Sequence, residues 1–424
     1  MPNLGAEEGA KWVHHIALPR VTATLRLWRH LFGAPQQWVG AAESEGGWSE
    51  EGWSEEGWPE TLGPRPEEAA FDWLSGVSGA CWFGDRAARI ALAAAGDAGA
   101  SPSPAVVKRV HDKDFAVQVA EAEGYLPACL QGLSATYSPE DLADPDSWLE
   151  GLARRLAQWP AWVDGAFTLK PRLGSSGRGR VSGRAHALET AKIRAALPRL
   201  ARQGGAVLEP WLQRETDLSV MLHIAPPAST ADGAITLLGA SEQLLAPSGV
   251  YLGHLGEIDS RGRVFSGSPW EEPMREAAAA AASRARAAGY WGPCGVDGFA
   301  FLGPETAAPH GPSRLRPLVE FNARFTVGIV AAGLIRRALS QVKARLGLEP
   351  GERRGFLFAL DPPPGWSQWG DLNEAAGPGS LLLPLAPDST ESREKGKQAR
   401  PALLFARDAA TLRAAVSAGA NAAR

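Results

Sequence analysis

Two strand-like apolar runs late in the chain each carry a carboxylate among hydrophobic neighbours, and that pairing restricts the possible folds more than any other feature. The runs are Gly295-Val296-Asp297-Gly298-Phe299-Ala300-Phe301 and Leu315-Arg316-Pro317-Leu318-Val319-Glu320-Phe321-Asn322-Ala323-Arg324. Side chains two apart on a strand point to one face, so Glu320 and Asn322 share a side. Both offer oxygen and one carries charge, which suits Mg²⁺, a hard cation that accepts phosphate as a co-ligand. Two strands aiming Asp297, Glu320 and Asn322 at one place make a magnesium–nucleotide site. Two polar residues on a solvent face give the same local pattern, so the reading depends on what precedes it.

The 424 residues exceed what one hydrophobic core usually organises, which implies two or three domains. A net charge of −4 leaves no basic excess for nucleic acid as a general partner. Cys81, Cys129 and Cys294 are far apart and form no CxxC, so a disulfide framework or zinc site is not expected and a reducing cytoplasm fits. No signal peptide and no membrane span are expected, because no basic segment leads into an apolar one and no apolar run is long enough. The repeat Gly47-Trp48-Ser49-Glu50-Glu51-Gly52-Trp53 onward to Glu60 has a period of neither helix nor strand and reads as an acidic loop.

Residues 11–95, including the helix-like run Arg86 to Ala95, read as a small α/β unit interrupted by that repeat, and Ala98 to Pro104 as a linker. Asp112 is a good N-cap for a helix carrying Phe115, Val119 and Ala122. Helices are expected over 139–158, 188–203, 271–288 and 327–346. Strands are expected at Gly165–Pro171, Ala206–Leu212, Leu218–Ile224 paired with Ile235–Ser241, Gly355–Leu360, Ser380–Leu385 and 402–406. The last strands, around a charged loop at Asp388–Arg400, form a small appended α/β layer. The expected divisions are 1–105, 106–345 with a lid over about 113–208, and 346–424.

Between the strand at 165–171 and the next helix lies Lys170-Pro171-Arg172-Leu173-Gly174-Ser175-Ser176-Gly177-Arg178-Gly179-Arg180. Its glycines and serines expose backbone N–H groups and hydroxyls that can cradle phosphate, and Lys170 adds a point charge. It is neither a Walker A loop nor a GxGxxG turn. A flexible turn with surface arginines has the same composition. Further on, Glu209-Pro210-Trp211-Leu212 passes from strand to loop and offers backbone groups and a carboxylate to an adenine edge, with Asp217 near enough for ribose.

The order Lys113, Lys170 with its loop, Glu209, Asp217, Asp297, then Glu320-x-Asn322-x-Arg324 resembles the ATP-grasp superfamily over about residues 106–340. The resemblance implies an α/β (α+β) ATP-grasp fold with an N-terminal pre-ATP-grasp domain and a small C-terminal layer. It implies ATP contacts from Lys113, Lys170, Ser175, Ser176, Gly177, Glu209, Leu212 and Asp217, and metal ligation by Asp297, Glu320 and Asn322. Mg²⁺, with Mn²⁺ as an alternative, is the implied metal, and Arg324 the catalytic arginine of the pattern seen in the biotin carboxylase group. The implied reaction is ligation of a small-molecule carboxylate to an amine through an acyl-phosphate, with no nucleic acid or membrane partner and a homodimer as in many family members. A phosphotransferase, or a nucleotide-binding protein without turnover, are the competing classes.

Departures from the pattern bear on substrate. Gly295 stands where D-alanine–D-alanine ligases carry arginine, and Ala323-Arg324-Phe325-Thr326-Val327-Gly328 replaces their Pro-Gly-Met style sequence. No biotin-carrier lysine motif is present. His254 stands where some members of that family shape the acceptor pocket, though it also reads as an ordinary loop residue; Arg261 and Arg263 are candidate contacts to a substrate carboxylate, and Arg336-Arg337 a solvated helix face. His14 and His15 are adjacent and would point to opposite faces of a strand.

Overall fold

The computed structural model describes residues 18–32, 59–62, 68–75, 80–84, 86–94, 101–174, 179–227, 234–246, 248–304, 313–386 and 399–422. The tryptophan repeat up to Trp58, His14 and His15, the loop residues Ser175, Ser176, Gly177 and Arg178, and most of the charged 388–400 loop lie outside the described residues.

Among the described residues four α-helices come first: α1 (Pro19–Arg29), α2 (Arg86–Ala94), α3 (Pro104–His111) and α4 (Lys113–Ala122). Their ends follow capping chemistry. Ser103 accepts from Val106 N ahead of Pro104, and Asp112 accepts from Asp114 N at 3.0 Å, so α4 starts where its N-cap predicts.

A four-stranded antiparallel sheet in the order β1-β4-β2-β3 follows, built from β1 (Ala135–Tyr137), β2 (Ala166–Pro171), β3 (Val181–Arg184) and β4 (Ala206–Pro210). Helices α5 (Pro145–Ala157) and α6 (Thr190–Arg202) enclose a core with it, around Trp148, Leu152, Phe167, Leu197 and Leu208. Helix α5 begins six residues later than the expected Pro139, because Asp144 caps the N–H groups of Asp146 and Ser147 and Pro145 pre-sets the first helical φ.

The second sheet has nine strands. They are β5 (Arg214–Ile224), β6 (Ile235–Leu245), β7 (Tyr251–Asp259), β8 (Val264–Phe265), β9 (Gly292–Leu302), β10 (Ser313–Asn322), β11 (Arg353–Ala359), β12 (Leu381–Pro384) and β13 (Ala402–Ala406), ordered β10-β9-β5-β6-β8-β7-β11-β13-β12. All the neighbouring strands pair antiparallel except β6 with β8. Helices α7 (Glu271–Ala287) and α8 (Val327–Leu346) cover it. The alanine run of α7 buries Ala277, Ala278, Ala281, Ala282 and Ala285 as one stripe, small enough for the helix to approach the strands closely.

The C-terminal strands extend this same sheet, with α9 (Trp369–Ala375) and α10 (Ala409–Ala422) alongside. Alternation divides their side chains between two cores. Phe356, Phe358, Leu403 and Phe405 join the large core, while Leu357, Ala359, Leu404 and Ala406 pack in a separate cluster with Leu412. Burial on both faces explains why these strands read as continuous apolar runs.

The described N-terminal residues contribute helices, short 3₁₀ turns and one isolated bridge, Phe83 with Arg324. They bury into the large core: Trp28 meets Trp82 and Phe325 edge-on at 5.8 and 5.2 Å. Arg337 donates to the carbonyls of His30, Leu31 and Glu68, and Arg336 lies over Phe71. These two arginines therefore clamp α8 to the N-terminal segment, a correction to their reading as a solvated face. Divisions at 105 and 345 remain proposals, since both outer segments pack into the central unit. Among the described residues no helix is long and apolar enough to cross a membrane.

Gly205 turns the chain from α6 into β4 at φ +105°, and a Cβ there would lie 2.0 Å from the Tyr137 carbonyl oxygen. Backbone strain of this kind costs about 1–3 kcal/mol, so Gly205→Ala should lower the urea midpoint seen by tryptophan fluorescence. An unchanged midpoint would contradict the close approach of β1 to this turn.

Candidate functional site

One cleft runs between the two sheets. Its lining includes the cations Lys113, Lys170, Arg180, Arg214 and Arg324 together with Asp297, Glu320 and Asn322.

The β9–β10 register builds the acidic wall. Glu320 lies opposite Asp297 and Asn322 opposite Gly295, and directly opposed residues share a face, so three oxygen-bearing side chains converge. Asn322 Nδ2 donates to Asp297 Oδ2 at 2.9 Å, and Gln243 Nε2 donates to Oδ1 at 2.8 Å. Arg324 donates through Nη2 to Asn322 Oδ1 at 3.1 Å and through Nη1 to the Phe325 carbonyl at 3.0 Å, which orients both polar side chains. Burial, then the neighbouring Glu320 charge, pushes the Asp297 carboxyl up to about 6, against the pull of Ser219, Arg324 and Asn322.

Lys113, the first residue of α4, brings its Nζ within 3.0 Å of Glu320 Oε1 and donates to the Gly174 carbonyl at 2.9 Å. Glu320 Oε1 is nonetheless buried without an aligned hydrogen-bond donor. The lysine supplies charge there but not direction.

Lys170 is the penultimate residue of β2, and its ammonium pairs with Glu209 on β4. Thr168 stands opposite Glu209, which puts Lys170 on the same face one diagonal away. The other Glu209 oxygen pairs with Arg316 of β10, which is 3% exposed, as is Glu209 itself. Burial opposes the Glu209 charge, but Arg316 and Lys170 together outweigh it and hold the carboxyl at about 2. Burial is also the main influence on Lys170, drawing its ammonium below the usual range.

This changes the expected adenine hinge. Glu209 is buried beneath Lys170 with both its oxygens engaged, and neither it nor Leu212 lines the cleft; Leu212 packs with Phe299 and Phe301. Asp217 does line the cleft, but Arg214 Nη1 donates to it at 2.6 Å, so a ribose hydroxyl would share that carboxylate. Arg214 lies over Phe299 at 4.3 Å, and both Arg214 and Arg180 lie over Trp211.

The sequence reading gave no role to Arg316, Arg214, Gln243 or Ser219. Arg316 had a visible signal: a lone arginine within an apolar run needs a buried partner, and the lone Glu209 in another such run supplies it. His254 is on β7, not in a loop. It is 2% exposed, its Nδ1 lies 2.9 Å from Ser241 Oγ, and burial pushes its imidazole down to about 3. Arg261 and Arg263 belong to the β7–β8 turn, where their backbone N–H groups and the Arg263 side chain donate to Asp259; neither lines the cleft.

No family model and no curated protein matches the chain. Among solved structures it is similar to the carboxyaminoimidazole ribonucleotide synthase of Aspergillus clavatus complexed with ATP, at 14% identity over 79% of this chain and 78% of that one, with a TM-score of 0.45. A biotin carboxylase–β-γ-ATP complex from Campylobacter jejuni matches at 14% identity over 78% and 76%, with a TM-score of 0.45. The N5-carboxyaminoimidazole synthetase of Staphylococcus aureus complexed with ADP matches at 11% identity over 80% and 79%, with a TM-score of 0.47. At these identities no residue's role is carried over from them.

Two outcomes follow from the site's electrostatics. Glu209→Gln leaves Lys170 and Arg316 buried without their shared counter-charge and should cost about 3–5 kcal/mol in chemical denaturation. The Asp297 carboxyl titrates near 3.8 when unfolded and about 6 when folded, so the folded state binds the extra proton between them. Stability without ligand should therefore decline as pH rises through that window. Over the same window affinity for Mn²⁺ should rise, and a flat pH profile of paramagnetic Mn²⁺ binding would exclude Asp297 as a ligand.

Proposed function

We propose that this chain is an ATP-grasp-type ligase that joins a carboxylic acid to an amine, using Mg·ATP and passing through an acyl-phosphate. The observation that carries this reading is the gathering of lysines and carboxylates in one cleft. Lys113 and Lys170 would neutralise phosphate oxygens there, with Lys113 beside Glu320 and with Asp297 and Asn322 on β9 and β10 lining the same space.

The acidic wall fits a divalent cation. Its donors are two carboxylates and an amide oxygen, Glu320 Oε1 lacks an aligned donor, and the charge of Glu320 is one reason Asp297 holds its proton up to about 6. Among the described residues no three His, Cys, Asp or Glu converge, so water and phosphate would complete the shell, as Mg²⁺ prefers. When bound, the metal would neutralise charge between the β- and γ-phosphates.

The chain's own residues supply the rest. Lys113 and Lys170 hold the phosphates, and Arg324, fixed through Asn322, faces the transferred group. A carboxylate oxygen of the acid attacks the γ-phosphorus, the bond to the β-phosphate oxygen breaks, and ADP leaves. The amine nitrogen then attacks the acyl carbon, the carbon–oxygen bond to phosphate breaks, and phosphate departs as the nitrogen loses a proton. Positioning and charge stabilisation dominate this chemistry.

Glu320→Gln should cut ADP release by at least about 100-fold while leaving the melting transition intact, because one ligand charge is lost. Near-normal turnover would defeat the metal assignment. Lys170→Ala should weaken Mg·ATP binding by about 10- to 100-fold in calorimetry, the loss of one charge-assisted contact. Phosphate found on an alcohol, with no amide formed, would replace the ligase reading by phosphotransfer.

A further inference from the structure

Behind Arg324 lies a second cavity, separate from the nucleotide cleft except at that arginine, which lines both. Its walls are aromatic: Trp73, Trp82, Tyr290, Trp291 and Phe325, with His223 at the end of β5. It holds about 160 Å³ and opens to solvent at its mouth, a small site with room for one planar ring system rather than a drug-sized ligand.

Three polar atoms on these walls are buried with no hydrogen-bond partner among the described residues: Trp73 Nε1, Trp82 Nε1 and Ser101 Oγ. Trp82 is only 1% exposed, so water does not readily serve its N–H. Buried donors are normally paired; these three belong to cavity-lining residues, and a small side-chain shift would offer them to an occupant that carries acceptors. The walls also favour a flat body. The Trp73 ring lies on the His223 ring at 4.2 Å and 12°, and burial pushes that imidazole down to about 4, so it is an uncharged surface. The positive group at the junction is Arg324, two residues from Asn322 and turned toward it.

We infer that this cavity receives a planar aromatic carboxylic acid, its ring among the tryptophans and its carboxylate on Arg324. The acid group would then emerge into the nucleotide cleft beside Asn322, where the γ-phosphate is expected. Naming it as the acid that becomes phosphorylated rests on the ligase reading; binding in the cavity does not.

The test is calorimetry on the whole chain without nucleotide, using indole-3-acetate, its neutral amide indole-3-acetamide, and hexanoate. Indole-3-acetate should bind at least about tenfold tighter than either of the others. Arg324→Gln should erase the advantage of the acid over its amide. Trp73→Leu should weaken indole-3-acetate about tenfold while Mg·ATP affinity stays within about twofold. If Trp73→Leu does not fold, Trp73→Phe and the wild-type comparison of acid with hexanoate decide. Equal affinity for indole-3-acetate and hexanoate, or no effect of either substitution at Trp73, overturns the inference. Aromatic-acid binding in a protein that fails to bind Mg·ATP would instead overturn the ligase reading and leave the cavity assignment standing.

Discussion

The buried carboxylate of Glu209 joins the two sheets. It reaches Lys170 within the small sheet and Arg316 on the edge strand of the large one, so a single anion fixes how the halves of the cleft face each other. Burying three charges is expensive, and replacing such a group with hydrophobes is often neutral or stabilising. What the arrangement provides is orientation. It also leaves one more cation than anion in a dry cluster at the cleft margin, which sets the sign of the ligand that can approach Lys170.

The cluster on β9 and β10 is instead balanced, two carboxylates against the Lys113 and Arg324 cations. Asp297 and Glu320 face one another across adjacent strands, with the Lys113 ammonium beside Glu320 and amide donors on Asp297. A cleft that mixes carboxylates with several cations offers oxygen ligands to a metal and counter-charge to an anion at once. The proposal of Mg·ATP rests on that mixture more than on any single residue.

Much of the local structure was legible in the sequence. Helix α8 was expected over 327–346 and spans Val327–Leu346, because Thr326 caps Ile329 N and Gly347 ends the helix in the left-handed region. The shared face of Asp297, Glu320 and Asn322 was legible because neighbouring strands with two-residue alternation settle it locally. Glu209 was misread for the opposite reason. Its partner Arg316 is 107 positions away, and nothing near Glu209 says whether its carboxylate turns toward a ligand or into a core. The strand-to-loop transition looked like a ligand edge, but burial and two cations claimed the side chain. The helix at Pro19–Arg29 was hidden similarly, since Trp28 packs against the distant Trp82 and Phe325, whereas the run at 86–95 was legible as helical and forms α2.

The start of α4 shows how a local signal acquires a distant role. Asp112 caps the helix, and the same carboxylate receives Arg172 Nε at 3.0 and 3.1 Å, while Lys113 N donates to the Arg172 carbonyl at 3.1 Å. Lys113 Nζ then reaches both Gly174 and Glu320. The helix terminus thus holds the entrance of the glycine–serine loop to the acidic wall, and it does so through the cation that a divalent metal would have to displace or share at Glu320. A cap with ordinary local energetics becomes the point where the loop side and the carboxylate side of the cleft are coupled. Either side can shift only by changing what Lys113 touches.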